Sequence, residues 1–209
     1  MSILKTLTSV CLALMLTACA SALEPLLAPD VASDAAALKP GNYVLDQKHA
    51  SLVFKVGHLG FSNYVGRFEI FDVTLDFDQA NPELARVEAA IDMTSLNVAN
   101  ESFAQTLMGS NWFDVETFPQ TVFRSMSIEV TGENTGVLMG ELTLHGVTNP
   151  IAMDVVFNGG GYDRLRGAYV LGLSAKTTVS RAAFGVDRFP ILVGDNVNLE
   201  IEAEFLKRN

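Results

Sequence analysis

Cysteine is nearly absent from this chain. Its 209 residues hold only Cys11 and Cys19, both within the first twenty. The remainder therefore has no disulfide, no thiol nucleophile and no thiolate metal site. Tryptophan occurs once, as Trp112, and histidine three times. Basic residues are in deficit: 14 Lys and Arg face 24 Asp and Glu, a formal charge of −10. That balance argues against nucleic acid as a partner, because affinity there comes largely from cations that neutralise phosphates. It also disfavours anionic lipid headgroups. Long apolar runs are missing near the N-terminus. Val10–Leu16 is far shorter than the roughly 20 residues that cross a bilayer as a helix.

Familiar catalytic patterns are missing as well. No Gly-x-Ser-x-Gly elbow occurs, and Ser110, Ser125 and Ser180 have no distinctive neighbours. His49, His58 and His145 are not spaced as a local metal-ligand motif. Gly57-His58-Leu59-Gly60 lacks the Lys and the following helix of a phosphate loop. Most carboxylates alternate with apolar residues, which reads as the wet face of strands. The expectation is a protein with no catalytic residues and no metal.

What is present begins with an export signal. Met1–Thr8 carries one cation, Lys5, and the apolar run Val10–Leu16 follows. Leu16-Thr17-Ala18-Cys19 resembles the bacterial lipobox, whose cysteine is lipid-modified and becomes the first mature residue. Residues 1–18 are thus expected to be a lipoprotein signal peptide and Cys19 the lipidation site. Ala20 is not Asp, which by resemblance to lipoprotein sorting favours the periplasmic face of the outer membrane. Residues 19–40 are rich in Ala and hold Pro25, Pro29 and Pro40, a composition expected of a flexible, lipid-anchored tether.

From residue 41 to 209 the chain alternates, and that length suits one domain. Val197, Leu199, Ile201, Ala203 and Phe205 alternate with Asn198, Glu200, Glu202 and Glu204. Period two with one acidic face means a strand wet on one side. The pattern recurs at Val73–Phe77, Val87–Met93, Met126–Val130, Leu138–Leu144 and Ile151–Phe157. Asn81-Pro82, Gly132-Glu133-Asn134, the stretch His145–Pro150 and Gly159-Gly160-Gly161 read as turns or breaks. About eight strands fit between Tyr43 and Phe205, with Val65–Phe77 read as one run. Only Glu101–Asn111 has helical spacing, with Phe103, Leu107 and Met108 on one side. One-sided strands must bury their apolar faces together, and long strands favour a barrel over a sandwich. The fold class expected is all-β, an eight-stranded antiparallel barrel with a short helix near residues 101–111. Thirteen Phe, most of them on the presumed inner face or in the 103–123 region, favour an interior that holds a ligand. Arg181 follows the strand-like run Tyr169–Ser180. It reads either as a cation for a polar head at the mouth or as a structural hydrogen-bond donor.

Several blocks resemble the YceI-like family of periplasmic polyisoprenoid-binding proteins. They are Tyr43–His49, Val56–Ser62, Val65–Phe68, Asn111–Val115 with Phe118-Pro119 and Thr121–Phe123, Gly140–Thr148, Ser180-Arg181 with Phe184-Gly185, and Val193–Val197. In order, they cover about residues 41 to 207. Two places depart from the pattern: no basic residue stands at Asn100-Glu101, and Ala182 and Ala183 are smaller than is usual. The resemblance implies a lipocalin-like barrel with an apolar tunnel for a long isoprenoid lipid, such as a quinone or prenyl lipid. It implies no metal and no other cofactor, a carrier or reservoir role in the cell envelope, and it allows a homodimer. Phe54, Val56, Phe68, Phe103, Leu107, Trp112, Phe123, Leu142, Leu144 and Arg181 are the residues expected to meet the ligand. Two rivals remain. A filled barrel with a structural or stress-related role has no tunnel, and a lipid-modifying enzyme sets a polar cluster, including His58 or His145, against the lipid head.

Overall fold

The computed structural model describes residues 28–34 and 37–208. Residues 1–27, including the expected signal peptide, Cys19 and the first part of the tether, lie outside them. Ten strands follow one another: β1 (Gly41–His58), β2 (Ser62–Phe68), β3 (Phe71–Phe77), β4 (Arg86–Asp92), β5 (Leu96–Asn97), β6 (Gln120–Gly132), β7 (Thr135–Leu144), β8 (Val147–Asp163), β9 (Ala168–Ser180) and β10 (Val193–Lys207). Among the described residues one α-helix, α1 (Glu101–Met108), stands between β5 and β6. No described helix is long and apolar enough to cross a membrane.

Eight of these strands make an antiparallel barrel in the order β10-β9-β8-β7-β6-β4-β3-β1, and it closes when β10 pairs back on β1. The closing ladder runs from Tyr43 opposite Lys207 to His58 opposite Val193. Closure leaves no free edge along that seam. β1 is long enough to serve two neighbours: Gly41–Val44 pairs with β3, and Leu52–His58 pairs with β2. The expected single run Val65–Phe77 is therefore two strands, broken at Glu69-Ile70. The break answers an irregularity in β1, whose register against β10 shifts between Leu45 and Ala50. The extra residues bulge there and bend the strand.

Two turn readings also change. His145 and Gly146 alone turn the chain, both at positive φ (52° and 75°), and strand pairing resumes at Val147. Two consecutive left-handed residues suit the twist of a tight hairpin. Gly159-Gly160-Gly161 is not a break but part of β8. These glycines are bare because other chain lies on them. Ala32 bridges Gly160 through paired backbone hydrogen bonds of 2.8 and 2.9 Å, and a side chain on Gly161 would meet the Asp30 carbonyl. The last part of the expected tether is thus laid against the barrel, and Leu38 is buried in its core.

The barrel has a filled end and an open end. At the filled end Leu38, Tyr43, Leu45, Leu171 and Phe205 form one buried cluster. The Tyr43 hydroxyl donates to the Lys39 carbonyl at 2.5 Å, and burial pushes its phenol well above the ordinary range. Outside this end Arg166, in the turn between β8 and β9, clasps the β1 bulge. Its guanidinium reaches Asp46 at 3.0 Å, and Asp163 and Glu204 at 2.6 Å each.

Candidate ligand cavity

Along the barrel axis from that plug runs a cavity of about 370 Å³. Its walls come from period two itself. Each strand turns alternate residues inward, so Leu52, Phe54 and Val56 of β1 stand beside their ladder partners Ile201, Leu199 and Val197 of β10 on the same stretch of wall. β6 contributes Phe123, and β7 contributes Leu138, Leu142 and Leu144. The wall is almost wholly apolar, and scarcely a polar atom is exposed on it. Its volume falls within the range of small-molecule sites.

Two inward glycines make room for rings. Gly66 stands directly opposite Phe54 in the β1–β2 ladder, and Gly140 lies beneath the ring of Phe123. A methyl group at either position would overlap the facing ring.

At the open end α1 covers one side of the mouth. Asn100 caps it by accepting the Phe103 N–H at 3.0 Å, and Glu101 in the first turn complements the helix dipole. The helix stops at Met108, three residues earlier than the spacing suggested, and Gly109 ends it. Ala104 and Leu107 pack on Phe54, Leu96 and Val98. Phe103 meets Tyr64 edge-to-face at 5.4 Å. Half-buried Trp112 lies 5.9 Å from Phe189, in the loop before β10.

All ten residues singled out from the sequence line this cavity. Their surroundings differ in one respect. Arg181 is buried, and its fork is engaged by backbone: Nε donates to Gly194 O at 2.8 Å, Nη1 to Val186 O at 2.6 Å and Nη2 to Val193 O at 2.8 Å. Of the two readings of Arg181, the structural one is the geometry seen. The arginine ties the loop after β9 to the start of β10. The wall also includes Tyr64, Met93, Met153, Val179 and Phe205, none of them singled out. Several belonged to the same alternating runs, so their period was the signal. Tyr64 lay outside those runs. Thr121 is the exception to the wall's chemistry: it is buried, and its hydroxyl has no hydrogen-bond partner.

The histidines do not converge among the described residues. His58 ends β1 at the mouth of the cavity. His145 sits in its hairpin against Phe118, ring centroids 4.7 Å apart. His49 pairs with Asp46 at 2.9 Å at the filled end. Asp46, His49 and Glu204 could together hold a cation, but the Arg166 guanidinium stands among them. Burial pushes the Asp46 carboxyl up, yet hydrogen bonds from His49, Arg166 and the Lys48 amide outweigh it and hold Asp46 below the ordinary carboxylate range.

A closed antiparallel barrel around an apolar, one-ended cavity defines this molecule as lipocalin-like in architecture. Residues 43–205 match the YceI-like domain, and the chain belongs to that family. It is 33% identical over 169 residues to a UPF0312 protein of Pseudomonas syringae pv. syringae, covering 80% of this chain and 87% of that protein. A UPF0312 protein of Shewanella oneidensis is 32% identical over 174 residues, covering 82% and 91%. Among solved structures, the Campylobacter jejuni YceI protein shares 27% identity with a TM-score of 0.67, covering 74% of this chain and 91% of its own. Burkholderia cenocepacia BcnA superposes with a TM-score of 0.70 at 21% identity, covering 77% and 98%. A structure described as a polyisoprenoid-binding domain from Saccharophagus degradans superposes with a TM-score of 0.60 at 14% identity, covering 81% and 100%. The last two likenesses concern the fold.

Proposed function

We propose that this barrel binds a long isoprenoid lipid, a quinone or prenyl lipid, and carries or stores it in the cell envelope. The observation that carries this reading is the cavity wall, which is apolar from the buried plug to the mouth. Burying a chain is worth roughly 0.8 kcal/mol per methylene, so such a wall competes with a membrane when it covers most of the tail. The wall offers the tail little to distinguish one chain length from the next. It offers a polar head almost nothing, so the tail enters first and the head stays at the mouth. The name of the Saccharophagus degradans domain, a polyisoprenoid-binding member of the same architecture, points the same way. The open interior speaks against the filled-barrel reading. We read the protein as a binder rather than a lipid-modifying enzyme: of the two histidines that reading invoked, His145 packs on Phe118 off the cavity wall, and His58 stands at the mouth with no second histidine beside it.

Mass spectrometry of an organic extract tests this directly, using the whole chain purified from its native host. A stoichiometric prenyl lipid or quinone is the expected result, and it names the head group. Repeated absence of lipid would sink the reading. Trp112 supplies a second readout, because the only tryptophan lines the cavity and its emission should shift when a prenol is added. We further propose that Cys19 anchors the protein to the periplasmic face of the outer membrane. Cys19→Ala should release it from the membrane fraction, and a variant that stays bound would refute the anchor. The family resemblance also allows a homodimer, which light scattering of the purified protein would detect.

A further inference from the structure

Two loops at the open end of the barrel carry apolar side chains into solvent. Leu59 and Phe61 lie in the turn between β1 and β2, and Phe61 is 89% exposed. Phe189, Ile191 and Leu192 lie in the loop before β10, and Ile191 is 90% exposed. The two loops are adjacent, because the Leu59 N–H donates to the Leu192 carbonyl at 2.9 Å. Other large apolar side chains are exposed elsewhere, Leu84 and Leu165 among them, but these five sit together on two hydrogen-bonded loops, and such a cluster marks a surface built for contact.

The patch is continuous with the cavity. Its first loop grows out of Gly57 and His58, and its second lies between Val186 and Val193, all four of which line the cavity. Trp112, also on the wall, touches Phe189. Charge is arranged accordingly. Residues 57–66, 109–113 and 189–194 contain no Asp, Glu, Lys or Arg, in a chain of net charge −10. The second loop is flanked by one charge of each sign, Asp187 and Arg188, so the tip presents no net charge and a neutral lipid interface does not repel it. Aromatic and aliphatic side chains on loop tips suit the headgroup–acyl boundary. The described chain joins the barrel at the opposite end, where Ala32 lies on β8, so this tip meets a surface independently of any attachment at Cys19.

We infer that the tip formed by Leu59, Phe61, Phe189, Ile191 and Leu192 docks on a zwitterionic lipid bilayer. Docking sets the cavity mouth on the membrane, and a tail passes between bilayer and barrel along an apolar path without crossing water. The inference rests on the cavity being a lipid site, but its test does not.

The test uses the whole chain and vesicles of brominated phosphatidylcholine, whose bromines quench a nearby indole. The only indole is Trp112, beside the tip. Binding through the N-terminal segment alone brings no tryptophan to the membrane. The expected result is loss of Trp112 emission with vesicles. Phe61→Ser with Ile191→Ser should weaken that docking roughly a hundredfold, about tenfold for each anchor. Both positions are exposed, so an unchanged circular dichroism spectrum is expected of the variant. Quenching that persists equally in the variant overturns the proposal, because a brominated chain would then be entering the cavity without the tip. An unquenched parent protein overturns it too, whatever lipid the barrel holds. A dimer by light scattering that the double variant dissolves would assign the tip to a second copy instead.

Discussion

Phe54 and Gly66 face each other across the β1–β2 ladder, and the Phe54 ring fills the space a side chain at position 66 would take. The pair sets the shape of the cavity wall near its mouth. Phe123 covers Gly140 in a similar way from the neighbouring strand, but diagonally, since its ladder partner is Leu142. Gly66→Ala is therefore expected to overpack the wall and to cost roughly 1–3 kcal/mol in chemical denaturation. An unchanged midpoint would mean that the Phe54 ring moves freely into the cavity.

Arg181 is buried and donates to three backbone carbonyls. Replacing it by Gln leaves part of that set unpaired, and stability should fall by about 2–4 kcal/mol. Calorimetry gives the loss. Ligand titrations give the role: a loop tie affects binding of a prenol and of a plain hydrocarbon such as squalene alike. A selective loss of the prenol, whose hydroxyl squalene lacks, would restore the head-group reading of this arginine.

Arg166 makes acid stability a local matter. The Arg166 guanidinium holds the Asp163 carboxyl below the ordinary range, and shares with His49 in holding down Asp46 against its burial. A carboxylate whose pKa is lowered on folding stabilises the fold above its unfolded pKa of about 4, and the contribution fades as pH falls through the lower folded value. Arg166→Leu should thus melt earlier than the parent near pH 7. The gap should close as the melts are repeated below about pH 4. A gap constant over that whole range would show that Arg166 acts by packing alone.

Thr121 buries a hydroxyl with no partner. Thr121→Val keeps the shape and removes the orphan, so the variant should gain about 1 kcal/mol or more in urea denaturation. Its apolar replacement should also leave binding of an isoprenoid tail intact. A loss of stability would mean that a water satisfies the hydroxyl in solution.

Much of the architecture was legible in the chain. Alternation at Asn196–Phe205 and in four other runs marked which side chains face inward, because in a strand the direction of a side chain is local geometry. The run Met126–Val130 did not, since β6 shifts register between Ser125 and Ser127 and leaves Met126 and Val130 exposed. By that strand geometry Leu142 and Leu144 lie on the cavity wall, whereas Phe103 and Leu107 reach it from the helix and Trp112 and Arg181 from loops. The helix was read correctly at its start, where Asn100 and Glu101 have the chemistry of a cap, and too long at its end.

Contacts between distant parts of the chain were not legible. Gly159–Gly161 has the composition of a turn, and only the chain laid over it explains why a strand there is bare. Arg181 has the same side chain whether it serves a ligand or a loop, and only the fold shows its partners at Val186, Val193 and Gly194. Arg166 reaches Asp46 across 120 positions of sequence because the barrel closes β10 on β1. By itself the sequence determined which face of most strands is dry. The tertiary structure decided what the dry faces enclose: closure brings eight one-sided strands around a space that their side chains fill at one end and leave open at the other, and no local period encodes that difference.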